Sequence, residues 1–284
     1  MVAPYIFILG TGHSGGTLLN LLLGASPRTF AAGERLHLWN LRNLHRQDER
    51  TRLFWQQAVS RLEANGWPAS RLTPEAVLGA GTDLWRSWIN IVADISPQPV
   101  VVDKSNHLQT VRLLCDAGLV DPFFVHLVRD PRAVAHSYSR MNKLSLAKQR
   151  SWQISSTAIS SFLDGHENSM ILRYEDLAAD PWHHTLRILK KAGERVGLNL
   201  CSGIPEDVRE RGLDDPIFDN VIYGGNVMRH PAKRKGRMIE LDVGYLRNMS
   251  TFDWATSTLS CLSGLRQFGY PIGRTSMKKM LLQS

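Results

Sequence analysis

Gly10-Thr11-Gly12-His13-Ser14-Gly15-Gly16-Thr17 is the stretch from which the rest of the chain is read. Just before it stands Tyr5-Ile6-Phe7-Ile8-Leu9, an aromatic and β-branched apolar run that predicts a buried strand. Just after it, Leu18-Leu19-Asn20-Leu21-Leu22-Leu23 predicts a helix whose turns face a core. A strand, a Gly-rich turn and a helix start together make an anion site. Successive backbone N–H groups point inward there, and the first turn of the helix carries partial positive charge. Against the phosphate-loop pattern G-x-x-x-x-G-K-[ST], Gly10, Gly15 and Thr17 fall on fixed positions, but Gly16 stands in the place of the lysine. That lysine reaches the β- and γ-phosphates of a nucleoside triphosphate. A loop without it still holds one phosphate through backbone donors, so the expected ligand is phosphorylated but not a triphosphate. The plainer reading, a tight β–α turn and nothing more, loses ground to the motifs downstream.

Composition narrows the setting. A chain of 284 residues can bury a sizeable core, and one α/β domain spanning 1–284 is expected rather than two. No apolar run approaches the roughly 20 residues needed to span a membrane. Met1-Val2-Ala3-Pro4 lacks a basic leader, so no signal peptide is expected. Cys115, Cys201 and Cys261 are odd in number and without metal-ligand spacing. They read as buried thiols of a reducing compartment, with no metal site. The net charge of +8 favours anionic ligands. Nucleic acid is disfavoured as a partner, because the basic residues are scattered and no helix-turn-helix or zinc-finger spacing occurs.

Further along, Thr29-Phe30-Ala31-Ala32 predicts a second strand ending at Gly33-Glu34. Helical periodicity runs from Glu49 to Asn65, with Leu53, Phe54, Ala58 and Leu62 on one face, and again from about Glu75 to Ile95. Pro99-Val100-Val101-Val102 predicts a third strand ending at Asp103-Lys104, followed by helix from His107 to Ala117. Phe123 to Val128 and Met170 to Arg173 predict two more strands. Asp180-Pro181 opens a helix to about Arg195, with an acidic cap and Pro at its first position. Residues 201–237 read as charged loop, and Trp254 to Phe268 as a last amphipathic helix. Strands alternating with helices imply right-handed βαβ units, hence a three-layer α/β fold: a central parallel sheet flanked by helices. In such sheets the site lies beyond the carboxyl ends of the strands, where Gly10, Glu34, Lys104 and Arg129 all fall.

The most specific downstream stretch is Arg129-Asp130-Pro131-Arg132-Ala133-Val134-Ala135-His136-Ser137. Arg129 leaves a strand, Pro131 starts a helix, and Ser137 sits two turns along. An Arg fork and a Ser hydroxyl can both reach one phosphate from there. The structural alternative is a capped helix start, and Asp130 is assigned that capping role. Two further pieces are Leu172-Arg173-Tyr174-Glu175-Asp176-Leu177 at a strand end and the basic run Lys233-Arg234-Lys235-Gly236-Arg237. An acidic helix cap would also give the first, and a solvated basic loop the second.

These stretches resemble the sulfotransferases that use 3′-phosphoadenosine 5′-phosphosulfate. His13-Ser14-Gly15-Gly16-Thr17-Leu18 resembles the family's 5′-phosphosulfate loop, commonly R-S-G-T-T-L, with His13 for Arg and Gly16 for Thr. The first change makes the charge of the loop depend on pH, since an unperturbed His titrates near ~6.5. The Arg129 stretch resembles the family's 3′-phosphate motif, which implies that Arg129 and Ser137 bind that group. Tyr174 is similar to the Tyr of the family's YEDL, near the adenine. Arg234-Lys235-Gly236 resembles the late RKG loop, without the GDWK that follows it in cytosolic members. The resemblance implies a P-loop-like fold, a phosphosulfate donor, adenosine 3′,5′-bisphosphate as product, and no required metal; without the opening transmembrane helix of the membrane-anchored members, a cytoplasmic enzyme is expected. The acceptor would be a small molecule, a carbohydrate or a peptide bearing a hydroxyl or amine.

Glu34 and Lys104 are the expected catalysts. Sulfuryl transfer resembles phosphoryl transfer, in which alignment and neutralised charge on the moving oxygens lower the barrier. A base must also take the acceptor's proton. Gly33-Glu34 resembles the Gly-Glu of carbohydrate and tyrosine-protein sulfotransferases, whose Glu is that base. Lys104 resembles their Lys that contacts the bridging oxygen. An exposed helix-start acid and an ion pair with Asp103 are the structural alternatives, and His37 and His107 are rival bases. A P-loop nucleotide kinase and a catalytically inactive nucleotide binder are the competing functions.

Overall fold

The computed structural model describes residues 2–34, 47–71, 81–104, 107–141, 146–220, 222 and 230–283. Five strands, β1 (Ala3–Leu9), β2 (Thr29–Gly33), β3 (Val100–Asp103), β4 (Val120–Val128) and β5 (Ser169–Arg173), form one sheet. Its order is β2-β3-β1-β4-β5, and every pairing is parallel. β1 lies in the middle because its residues are apolar in both directions. Tyr5, Phe7 and Leu9 face one core, while Ile6 and Ile8 face the other.

Helices cover both faces. On one side, α1 (Gly16–Leu23) and a later helix, Pro181–Val196, pack over Ile6, Ile8 and Val125. On the other, α2 (Glu49–Ala64), α3 (Gly81–Ile95) and α4 (Leu108–Asp116) bury Trp55, Trp85 and Trp88 against Phe7 and Phe124. The face of α2 follows the sequence expectation at Ala58 and Leu62, with Phe54 partly buried against the core, and departs from it at Leu53. Leu53 is exposed, and Thr51, Trp55, Val59 and Leu62 point inward. The large Trp55 ring stacks near Phe30 and Trp88 and so sets the rotation of the helix. The expected helix from Glu75 is described from Gly81 onward, residues 72–80 lying outside the described residues.

Two helices beyond β4 meet the C-terminal third of the chain in a third core. They are α5 (Pro131–Ser139) and α6 (Leu146–Leu163), the second of which the sequence reading did not single out. Short α7 (Tyr174–Ala179) follows β5 directly and leads into α8, the Pro181–Val196 helix, which Asp180 caps through the His183 N–H. In the C-terminal third come α9 (Pro231–Arg234), α10 (Gly244–Asn248), α11 (Thr251–Ser260), α12 (Leu262–Gln267) and α13 (Arg274–Gln283). The single last helix expected from Trp254 to Phe268 is thus two helices, and another follows. The break at Cys261 lets both pieces pair with α6: the Cys261 thiol reaches the Gln149 carbonyl, and the Gly264 N–H donates to Gln153.

The chain runs from β1 outward to β2 and β3, then crosses to β4 and β5 on the other side. The crevice where the direction reverses lies between the carboxyl ends of β1 and β4, which carry the glycine loop and Arg129. The placement of the loop rests on α1, whose Leu19, Leu21, Leu22 and Leu23 are all buried. Leu19→Ala is expected to lower unfolding free energy by about 2–5 kcal/mol, read from urea denaturation. A loss under ~1 kcal/mol would mean that α1 is held by something other than this packing.

Candidate functional site

Backbone conformation makes the loop. His13 has φ 66° and Gly15 φ 90°, so the chain turns twice in the left-handed region before α1 begins. The Ser14 N–H closes a turn on the Thr11 carbonyl, and the Thr11 and Ser14 hydroxyls lie 2.8 Å apart. Ser14, Gly16 and Thr17 are buried, and Leu18 is half-buried. Neighbours press the loop from three sides. A Cβ on Gly15 would lie 2.4 Å from the Tyr174 ring, one on Gly16 2.6 Å from Cε of Lys104, and one on Gly12 2.8 Å from the Tyr138 hydroxyl. Gly16 therefore supplies no lysine but leaves the space through which the Lys104 side chain runs. Lys104, at the end of β3, pairs with Glu34, at the end of β2, and both side chains are largely buried. The carboxylate that Lys104 meets is thus Glu34, on the neighbouring strand end, where the structural alternative had named Asp103.

His13 joins the loop to the Arg129 stretch. Its carbonyl accepts from Nη1 of Arg129 at 3.0 Å, and its Nδ1 lies 2.9 Å from the Ser137 hydroxyl. Its ring meets Tyr138 edge-on at 4.3 Å. The guanidinium of Arg129 lies 4.3 Å from the centre of the Tyr174 ring and donates through Nη2 to Asp242 at 3.1 Å. The Nε of Arg129 is buried with no partner among the described residues. A buried N–H without an acceptor is costly, so the Nε–Nη2 edge is suited to an anion that brings two oxygens. Asp242 itself was not foreseen; it lies in an irregular segment before α10, and no motif marks it.

Arg234 is placed differently from the expectation. Its side chain is buried and donates to the Phe218 carbonyl at 2.9 Å and to Asp219, not to the loop. Lys235 and Gly236 are exposed, and the Gly236 N–H donates to Asp214. The described residues thus join His13, Ser137, Arg129 and Tyr174 directly, with Lys104 against Gly16 and Glu34 paired to Lys104, and leave the Arg234-Lys235-Gly236 run outside this set of contacts. His37 lies outside the described residues. His107 is half-buried at the residue before α4.

Beneath Arg129 lies a buried charge network. Asp130 caps α5 through the Arg132 N–H, as expected, and also grips the Arg132 guanidinium with both oxygens at 2.8 Å. Arg132 donates onward to the Pro271 and Ile272 carbonyls. Glu175 accepts from the Asp130 N–H at 3.1 Å and from the Tyr270 hydroxyl at 2.8 Å. Burial, with the Asp130 charge second, pushes the Glu175 carboxyl up to about 7.

The pattern of the Sulfotransferase family matches residues 4–196, two thirds of the chain. The chain belongs to the sulfotransferase family. Its chemistry is accordingly group transfer of the sulfuryl kind. No curated protein matches the chain. Among solved structures, the sulfotransferase domain from the Synechococcus PCC 7002 olefin synthase superposes with a TM-score of 0.54 at 21% identity. That match covers 95% of this chain and 97% of the other. The sulfotransferase domain from the curacin biosynthetic pathway gives a TM-score of 0.54 at 19% identity, covering 96% of this chain and 99% of that one. Both share the fold, a parallel sheet flanked by helices. Among the described residues, no helix is long and apolar enough to cross a membrane.

The folded chain keeps the Glu175 proton up to pH ~7, whereas the unfolded chain releases it near the ordinary 4.5. The stability this confers is complete below pH ~4.5 and is lost as the pH rises through 7. Glu175→Gln is expected to flatten that decline, so the gap between wild-type and variant urea midpoints should shift in the variant's favour from pH 5 to pH 8. A gap constant with pH would mean that Glu175 is ionised in the folded protein throughout.

Proposed function

We propose that this sulfotransferase moves the sulfuryl group of 3′-phosphoadenosine 5′-phosphosulfate to a hydroxyl or amine. The observation that carries the proposal is the Arg129 fork, half used and buried, beside a loop shaped for a single phosphate. In this reading the backbone amides of Ser14, Gly15, Gly16, Thr17 and Leu18 hold the 5′-phosphosulfate. Arg129 and Ser137 hold the 3′-phosphate, and the Tyr174 ring lies against the nucleoside. Bound there, the donor supplies an activated sulfuryl group whose leaving oxygens carry the charge that develops.

Lys104 supplies the cation that a phosphate-loop lysine would otherwise bring, reaching the loop over Gly16. In the free enzyme its charge is matched by Glu34. When the ammonium turns to the leaving oxygen, Glu34 is released to take the acceptor's proton. The acceptor enters by a cleft of about 330 Å³ that opens on Gly10–Gly12, with Leu108, Val134 and Trp152 forming its apolar wall. Tyr138, Ser151 and Ser155 add hydroxyl groups to its lining. Such a wall favours an acceptor with an apolar body whose polar group faces the lining hydroxyls. Leu108 follows His107, which keeps that histidine as the alternative base.

Adenosine 3′,5′-bisphosphate is expected to stabilise the protein much more than Mg-ATP does. At ~100 times Kd a ligand adds about 2.7 kcal/mol. For a chain this long that raises Tm by roughly 5 °C or more in a thermal melt. A larger shift with Mg-ATP would favour nucleotide kinase chemistry instead.

Glu34→Gln should cut turnover by about 10²–10⁴-fold and leave bisphosphate affinity intact, since general base catalysis contributes on that scale. Turnover is followed with labelled donor and a panel of phenols, aliphatic alcohols, amines, sugars and peptides. Near-normal turnover would move the base to His37 or His107.

A further inference from the structure

We infer that Asp242 is a built-in placeholder for the 3′-phosphate: its carboxylate holds Arg129 in the free enzyme and is displaced when the nucleotide binds. This rests on the assignment of Arg129 to that phosphate. The argument comes from two guanidinium–carboxylate pairs three residues apart.

Arg132 meets Asp130 with its whole side-on edge, Nε to one oxygen and Nη2 to the other, both at 2.8 Å, with both side chains fully buried. Arg129 presents the same edge but uses half of it. Asp242 takes Nη2 through Oδ2 at 3.1 Å and turns its other oxygen, Oδ1, to the Gly244 N–H at 3.1 Å. Nε of Arg129 stays unpaired in a side chain only 8% exposed. A carboxylate seated as a permanent partner would take both nitrogens, as Asp130 does. A phosphate brings enough oxygens to span Nε and Nη2 together.

The surroundings let Asp242 leave. Its side chain is 40% exposed and lies in the irregular segment between α9 and α10. Just beyond it the Leu246 N–H bonds the Val243 carbonyl and Tyr245 is held on Asp130, so the following turn stays anchored while the carboxylate swings. Arg140 and His136 of the α5 region are the other charged or titratable groups that act on it. Its ionisation persists at neutral pH: burial opposes the charge, but the Gly244 amide and the Arg129 cation hold the carboxyl below its usual range. Asp242 thus keeps Arg129 from collecting weak anions, and it lowers the affinity for the bisphosphate, which favours release of that product after transfer.

The test is calorimetric titration of adenosine 3′,5′-bisphosphate and of adenosine 5′-phosphate into wild type, Asp242→Asn and Asp242→Ala. A partly exposed pair of this kind contributes up to about 1 kcal/mol, and its like-charge conflict with the phosphate adds to the competition. Both variants are therefore expected to bind the bisphosphate about three- to tenfold more tightly, with adenosine 5′-phosphate unchanged. Weaker bisphosphate binding in the variants would make Asp242 a positioning residue for Arg129 and overturn the inference, and so would unchanged binding. The wild-type comparison separately tests the reading beneath it. A bisphosphate bound no more tightly than the monophosphate would remove the 3′-phosphate from Arg129, and the placeholder with it.

Discussion

Everything around the site hangs on the Asp130–Arg132 fork. Two opposite charges with no exposure are costly to remove from water, and the bidentate geometry offsets that cost only because further partners complete it. Tyr245 donates to Asp130 from α10, the Pro271 and Ile272 carbonyls accept from Arg132, and Trp254 lies under its guanidinium. One ion pair thereby fixes the start of α5 and draws in α10, α11 and the segment before α13. Arg129 immediately precedes the pair. Its position at the crevice between β1 and β4 follows from how tightly its neighbour is held.

The second organising constraint is steric. The loop has a glycine where phosphate loops carry a lysine, and the structure gives that change a physical sense. Gly16 has no side chain, so Lys104 crosses above it from the end of β3. A side chain at position 16 and the present course of Lys104 exclude one another. In the proposed reading the cation comes from a different strand, which puts it beside Glu34 and against the loop. A charge moved in sequence by some ninety residues stays close in space.

Much of this was legible beforehand because it depends on local chemistry. The strand–loop–helix start, the parallel sheet, the strand-end positions of Glu34, Lys104 and Arg129, and the caps at Asp130 and Asp180 all follow from short-range patterns. What was not legible depends on partners distant in the chain. Periodicity placed Leu53 on the inner face of α2, but the packing of Trp55 against Phe30 and Trp88 rotated it outward. Amphipathicity ran one helix from Trp254 to Phe268, but bonds from Cys261 and Gly264 to α6 split it. The basic run at Arg234 read as a ligand loop, yet its arginine is buried against Phe218 and Asp219. Nothing local distinguishes a loop aspartate such as Asp242 from a solvated one, since its meaning comes from Arg129, 113 positions away.

The contrast between the two arginines shows how one motif separates structure from chemistry. Arg132 has its carboxylate two residues away on the same turn, and both are closed to water, so no solvent anion can compete for it. Arg129 has its carboxylate on a distant, partly exposed segment, and its fork is incomplete. An anion arriving from solvent meets an unpaired donor first and a replaceable partner second. Specific binding needs that asymmetry: a fully satisfied arginine is inert, and a fully bare one would be costly to keep buried. Cushioned by the Tyr174 ring and held by the His13 carbonyl, Arg129 stands between those limits. It is rigid enough to recognise a phosphate and unsatisfied enough to gain by doing so.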